Sequence, residues 1–208
     1  MNPKNKKLVI FDFDGVIVNT LPFCFILYKE HNPSLTWEEY QDFSEGNFLD
    51  GVKNAIDKKS HVVPDNFYEK YQEKVNNMDV IDILSKIIVF LSQNYPVSIV
   101  SSTPSKIIRN FLTKKNLEGC FSDILGVDIH SDKTIKINNL LKKYNIQPEN
   151  AVFVTDSLGD ILEGNKSGVN SIGVTWGIHD RKTLEKGKPV AIIDDPRDLL
   201  ETIQNVLK

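Results

Sequence analysis

The stretch Leu8-Val9-Ile10-Phe11-Asp12-Phe13-Asp14-Gly15-Val16-Ile17 decides how this chain is read. Four apolar residues lead straight into a carboxylate, a second carboxylate follows two positions later, and then comes a glycine. An unpaired carboxylate at mid-depth of a buried strand is strongly destabilising, so Asp12 marks the strand's exit into a wet cleft. Side chains repeat every two residues along extended backbone, which puts Asp12 and Asp14 on one side and Phe13 on the other. Gly15 permits a sharp change of direction. Two carboxylates held together in this way need a cation, a shared proton, or both.

Outward from this stretch the pattern repeats. Short apolar runs at 97–100, 123–127, 150–156, 171–175 and 190–193 read as strands. Between them lie helical faces: Ile81, Leu84, Ile88 and Leu91; Ile107, Ile108, Phe111 and Leu112; Ile137, Leu140, Leu141 and Tyr144. A short helix is expected at 157–166, stopped by Ser167-Gly168, and a last one from Pro196 with Leu199, Leu200 and Ile203 inward. Thr20 and Thr103 read as N-caps, with Pro104 as a first helical residue. Strands alternating with helices imply an α/β fold, a Rossmann-like doubly wound parallel sheet.

Residues 22–77 differ in texture: they are rich in aromatic and charged residues and contain no strand-like run. They read as a small α-helical insert with helices such as 36–43 and 65–75. The expected division is an α/β core domain, 1–20 and 78–208, and a helical cap domain, 21–77. Gly46 and Gly51 bracket an expected loop whose Asn47, Phe48, Leu49 and Asp50, with Lys53 nearby, are the candidate substrate-facing residues.

At 208 residues, with 40% hydrophobic and 25% charged residues, the chain suits a globular domain with one sizeable core. A net charge of −3 gives no reason to expect nucleic acid or an anionic membrane as partner. Cys24 and Cys120 lack metal spacing and read as reduced residues of a cytoplasmic protein. The basic start, 1–7, runs into apolar residues that Asp12 and Asp14 interrupt, which makes a poor signal peptide. His31, His61, His130 and His179 form no metal spacing and are assigned no role.

In a parallel sheet the carboxyl ends of the strands share one edge, where ligands bind. That edge would collect Asp12, Asp14, Ser101, Ser102, Thr155, Asp156 and Thr175. Asp160, in the first turn of the helix after Asp156, can face the same cleft. One Asp after a strand is usually a turn or cap residue; several at one edge are not so easily dismissed. Like charges about 4 Å apart repel by about 4 kcal/mol at an effective dielectric of 20, so a bound cation is expected. All-oxygen ligands favour Mg²⁺ over Zn²⁺. Opposite this acidic pole, the helix after Ser101 offers free N–H groups, and Lys133 begins another helix. A phosphate ester bridging the two poles would suit both.

Asp12-Phe13-Asp14-Gly15-Val16 resembles the first motif of the haloacid-dehalogenase-like superfamily. Ser101 resembles the second motif, Lys133 the third, and Thr155-Asp156-Ser157-Leu158-Gly159-Asp160 the fourth. The insert resembles the cap of the phosphoglycolate-phosphatase and β-phosphoglucomutase-like branch. The resemblance implies Asp12 as nucleophile forming an aspartyl-phosphate, and Asp14 as general acid and base. It implies Ser101, Ser102, Gly15 and Lys133 around the phosphoryl group. It also implies Mg²⁺ held by Asp12, the backbone carbonyl of Asp14, Asp156 and Asp160. The expected activity is hydrolysis of a small phosphorylated metabolite by a monomer or weak homodimer. Phosphomutase activity is the alternative, and a non-catalytic phosphate- or metal-binding module is a third. The chain departs from the family pattern at Asn19-Thr20, at Thr134 after the lysine, where Lys136 is a fallback, and at Thr155.

Overall fold

The computed structural model describes residues 6–57, 66–81 and 83–208. Residues 1–5 of the basic start, His61, and the Asp65 beginning of the expected 65–75 helix lie outside the described residues. Six strands, β1 (Leu8–Phe11), β2 (Val97–Val100), β3 (Asp123–Leu125), β4 (Ala151–Thr155), β5 (Asn170–Val174) and β6 (Ala191–Ile193), form one parallel sheet ordered β3-β2-β1-β4-β5-β6. All of β1, β2 and β4 is buried, as a sheet covered on both faces requires. From β1 the chain winds outward to β2 and β3, then returns to lay β4 on the other side of β1. This reversal opens a crevice at the carboxyl ends of β1 and β4.

Two apolar layers pack the sheet, and the alternation along β1 separates them. Val9 and Phe11 join the core built with α5 (Leu84–Asn94), α6 (Ser105–Lys114) and α10 (Leu199–Val206). Leu8 and Ile10 join the opposite one, where α7 (Lys133–Tyr144) buries Ile137, Leu140 and Leu141. Each fully buried aliphatic side chain contributes about 1.5–3 kcal/mol. The α8 helix (Leu158–Lys166) follows β4 and packs against α7 and β5.

The insert carries α1 (Leu21–His31), α2 (Trp37–Asp42), α3 (Phe48–Asp57) and α4 (Phe67–Val75). Its own core is aromatic: Tyr28 lies 5.6 Å from Tyr40 and 5.1 Å from Phe67, ring centre to ring centre. Thr36 and Glu39 close a reciprocal capping box on α2.

Several expectations are corrected. Gly51 does not end a loop but lies inside α3. A Cβ there would come 2.6 Å from the Phe43 carbonyl oxygen, so this glycine lets α3 press against the end of α2. Neither Thr20 nor Thr103 caps a helix with its side chain. The N-terminus of α6 is served instead by Asp128, which accepts from the Ser105 N–H at 2.6 Å. Ile81 precedes α5 and donates its N–H to the Ile17 carbonyl. A short helix, α9 (Arg181–Glu185), was not anticipated. Among the described residues no helix is long and apolar enough to cross a membrane.

Candidate active site

Asp12 follows β1 directly, and its N–H extends the ladder to the Val154 carbonyl. Its Oδ1 accepts from the Phe13 N–H at 2.7 Å, which turns Oδ2 toward Lys133 Nζ at 2.9 Å. Lys133 is the first residue of α7, held there by the Asp132 cap, and its Nζ also lies 2.7 Å from Asp160 Oδ2. Asp160 occupies the first turn of α8, where its N–H donates to the Ser157 hydroxyl and Thr155 Oγ1 donates to its Oδ2. Lys133 thus bridges two carboxylates brought from opposite sides of the sheet reversal. Lys136 does not compete for this place. It is fully buried, and its Nζ donates to the carbonyls of Ser101 at 2.6 Å and Gly126 at 3.3 Å.

Three buried carboxylates, Asp12, Asp156 and Asp160, face one ammonium. Burial pushes Asp12 well above the usual carboxylate range; Lys133 opposes this, while the Asp160 and Asp156 charges add to it. Burial also pushes Asp156 up to about 7. For Asp160 burial works the same way, but the Lys133 charge and the hydrogen bonds it receives hold it below the ordinary value. Burial opposes the charge on Lys133, yet Asp12 and Asp160 keep it raised. The imbalance is one a further cation would relieve.

Asp156 is tightly cradled. Its Oδ2 accepts from the Ile178 N–H at 2.7 Å. A Cβ on Gly15 would fall 2.0 Å from that oxygen, and one on Gly177 would fall 2.1 Å from the Asp156 Cβ. Gly15 has φ +71°, so both its conformation and its surroundings call for glycine. Among the described residues no three His, Cys, Asp or Glu side chains form a ready-made metal cage. A hard ion such as Mg²⁺ does not need one: it binds through one or two carboxylates and keeps waters and substrate oxygens. Asp12 and Asp156, all-oxygen donors in charge excess, fit that requirement.

Asp14 is held separately. Its Oδ1 accepts from Thr20 Oγ1 at 2.6 Å and from the Tyr71 hydroxyl, and its Oδ2 accepts from Thr103 Oγ1 at 2.7 Å. Thr20 and Thr103 therefore serve the carboxylate rather than the helix ends. Ser102 lines the cavity above Asp12; Ser101 is fully buried, with its Oγ accepting from the Thr103 N–H, and lies behind that surface. Gly15 also lies outside the cavity lining.

That cavity, about 180 Å³, lies between the sheet edge and the insert. Asp12, Asp14, Lys133, Asp156 and Asp160 form its floor, and Phe48 and Leu49 of the expected specificity segment reach it. Asn47 instead donates to Glu163 Oε1, while Asp50 and Lys53 are exposed. The insert is joined to the core close to the site. The Gly159 N–H donates to the Ser44 carbonyl at 2.9 Å. His179 Nδ1 accepts from the Leu158 N–H while its Nε2 meets the Gln41 carbonyl at 3.1 Å, a pairing that suits the neutral ring. Burial lowers the affinity of this ring for a second proton.

Tyr71 and His179 were missed because nothing local distinguishes them from a packed tyrosine and a surface histidine. Thr103 was visible: it stands two residues beyond Ser101 at the same strand edge. Lys136 also left a signal, as a lysine four residues before Leu140 on the apolar face of α7.

The sheet order, the carboxylate–lysine floor and the helical insert together define a phosphoryl-transfer type of α/β hydrolase site. The model of the haloacid dehalogenase-like hydrolase family matches residues 9–174, and the chain belongs to that family. It is 24% identical to a phosphoglycolate phosphatase of Vibrio cholerae serotype O1, over 96% of this chain and 98% of that protein. It is 22% identical to one from Synechococcus elongatus, over 97% and 99%. A hydrolase from Pseudomonas syringae shares the fold, with a TM-score of 0.81 at 16% identity over 98% of this chain and 100% of that one.

Proposed function

We propose that the protein is a Mg²⁺-dependent phosphatase that hydrolyses a small phosphorylated metabolite through an aspartyl-phosphate. The observation that carries this reading is Lys133 bridging Asp12 and Asp160 on the floor of a cavity that Asp14 also faces. Asp12 attacks phosphorus through a carboxylate oxygen, the bond to the alcohol oxygen breaks, and Asp14 supplies the proton that the alcohol leaves with. Asp14 then takes a proton from water as that water attacks the aspartyl-phosphate, which frees phosphate and restores Asp12. Lys133 neutralises charge beside Asp12 and, with Ser102, holds the phosphoryl oxygens; Ser101, behind the surface, supports the turn through the Thr103 N–H. Asp12, Asp156 and the Asp14 carbonyl would hold Mg²⁺, with Asp160 orienting its surroundings. When bound, the ion supplies positive charge to the phosphoryl oxygens and favours ionised Asp12. Residues 21–77 act as the cap that closes the cavity against bulk water.

The test is phosphate release from an aryl phosphate, with and without Mg²⁺, by the wild type and Asp12→Asn. Loss of at least ~10³-fold in the variant is expected for a covalent nucleophile; full activity in Asp12→Asn overturns the mechanism. Supplying a sugar phosphate separates hydrolysis from mutase chemistry: free phosphate should accumulate rather than the isomer.

A further inference from the structure

The cavity above Asp14 has walls of a definite chemical kind. Leu21, Cys24, Phe48, Leu49, Val52 and Phe67 supply apolar surface. Among the described residues, no basic side chain of the insert reaches the cavity: Lys53 is exposed and Lys29 sits over the Phe25 ring on the outside. Lys133, the one ammonium among the described lining residues, is committed to Asp12 and Asp160. Two further groups aim into this space. Tyr28 and Tyr40 are 4% and 3% exposed, both line the cavity, and neither hydroxyl has a hydrogen-bond partner among the described residues. Burial raises both phenols well above their ordinary range, so they are neutral donors.

A carboxylate on the leaving alcohol would lose its water here and find no cation, a cost that dominates small-ligand binding. An uncharged alcohol avoids that cost, gains from the apolar walls, and can offer an oxygen to the two idle hydroxyls. A cavity of about 150 Å³ holds one benzene ring; the cavity of about 180 Å³ must also hold the phosphoryl group on its floor, so the leaving group it takes is no larger than a single ring.

From this arrangement we infer that the leaving-group pocket selects phosphate esters of small, uncharged alcohols with apolar bulk, and discriminates against carboxylated esters such as phosphoglycolate. The inference rests on the reading of the site as a phosphomonoesterase. It separates this chain from the substrate named for its Vibrio and Synechococcus relatives.

The experiment compares benzyl phosphate, phosphoglycolate, and the phosphate ester of glycolamide, which replaces the carboxylate by a neutral amide of the same shape. Phosphate release is measured with the wild type and Mg²⁺, and dissociation constants are measured calorimetrically with Asp12→Asn. Expected is a kcat/KM at least tenfold higher for the amide than for phosphoglycolate, with benzyl phosphate higher still and the same order in the dissociation constants. Tyr28→Phe and Tyr40→Phe should each lower kcat/KM for the amide and leave benzyl phosphate, which has no oxygen to offer them, less affected. Phosphate release with phosphoglycolate equal or foremost overturns the inference and leaves the hydrolase reading standing. No release from any ester, with the expected order of binding, overturns the hydrolase reading and leaves the pocket's selectivity. No release and no ordered binding overturns both.

Discussion

The hydroxyl of Tyr71, on the last helix of the insert, donates to Oδ1 of Asp14, on the loop after the central strand. The insert therefore does more than cover the cavity; it helps hold Asp14, the proton donor and acceptor of the proposed mechanism. Tyr71→Phe keeps the ring and removes the donor. A hydrogen bond to a charged group is worth about 1.5–3 kcal/mol, so kcat should fall about tenfold or more, with a smaller change in KM. Tyr68→Phe is the comparison, since Tyr68 lines the same cavity half-exposed and makes no such bond. Equal kcat values in the two variants would reduce Tyr71 to packing.

Among the described residues Lys133 is the one cation paired directly with these buried carboxylates, so Lys133→Met takes the ion-pair partner from both Asp12 and Asp160. Breaking a buried pair from one side typically costs about 3–5 kcal/mol. Urea unfolding should show a loss of that order without Mg²⁺, together with loss of turnover. Added Mg²⁺ should recover part of the stability and none of the activity. An unchanged unfolding midpoint would contradict the bridging role.

Lys136 gives a pH signature. Burial, followed by the nearby Lys133 charge, pushes its ammonium down to about 8 from an ordinary 10.5. Between those values the unfolded chain holds more protons at this site than the folded one, so stability rises with pH across that window. The gain is roughly 3 kcal/mol at 1.36 kcal/mol per unit. Lys136→Met should lose that rise. The difference between variant and wild-type unfolding free energies at pH 7.5 and pH 10 measures it, since the other lysines and tyrosines cancel. A difference that does not change with pH would show that Lys136 titrates normally.

Gly177 is a place where a single methyl group should matter. Gly177→Ala would drive its Cβ to within 2.1 Å of the Asp156 Cβ, so Asp156 or the loop to Ile178 must move. Overpacking of this kind costs about 1–3 kcal/mol. The displaced carboxylate should also raise the Mg²⁺ concentration needed for half-maximal activity several-fold. Gly119→Ala, where a Cβ meets nothing within 4 Å, should leave both quantities unaltered.

The strand ends were legible because burial and charge conflict so sharply. A run such as Ala151-Val152-Phe153-Val154 can only stop at Asp156 if water or a counter-charge waits there. Lys133 was legible as a helix start, but only reach distinguishes it from Lys136: one Nζ meets Asp12 and Asp160, the other meets two backbone carbonyls. Gly51 misled because a glycine normally weakens a helix, and only the approach of Phe43 explains its presence in α3. The partners of Asp14 show the limit most clearly. Thr20, Tyr71 and Thr103 converge on one carboxylate from 6, 57 and 89 positions away, and no local periodicity encodes such a meeting.

The placement of β4 against β1 sets an order of events during synthesis. Asp12 is made 144 positions before its neighbour Asp156. At about 5–20 residues per second, the growing chain carries β1 for many seconds with one flank unpaired, since β2 covers only the other. During that interval Asp12 has no Asp156 beside it, and Lys133 has no Asp160 to bridge to. The floor of carboxylates and lysine is thus completed together with the closure of the sheet's middle rather than before it.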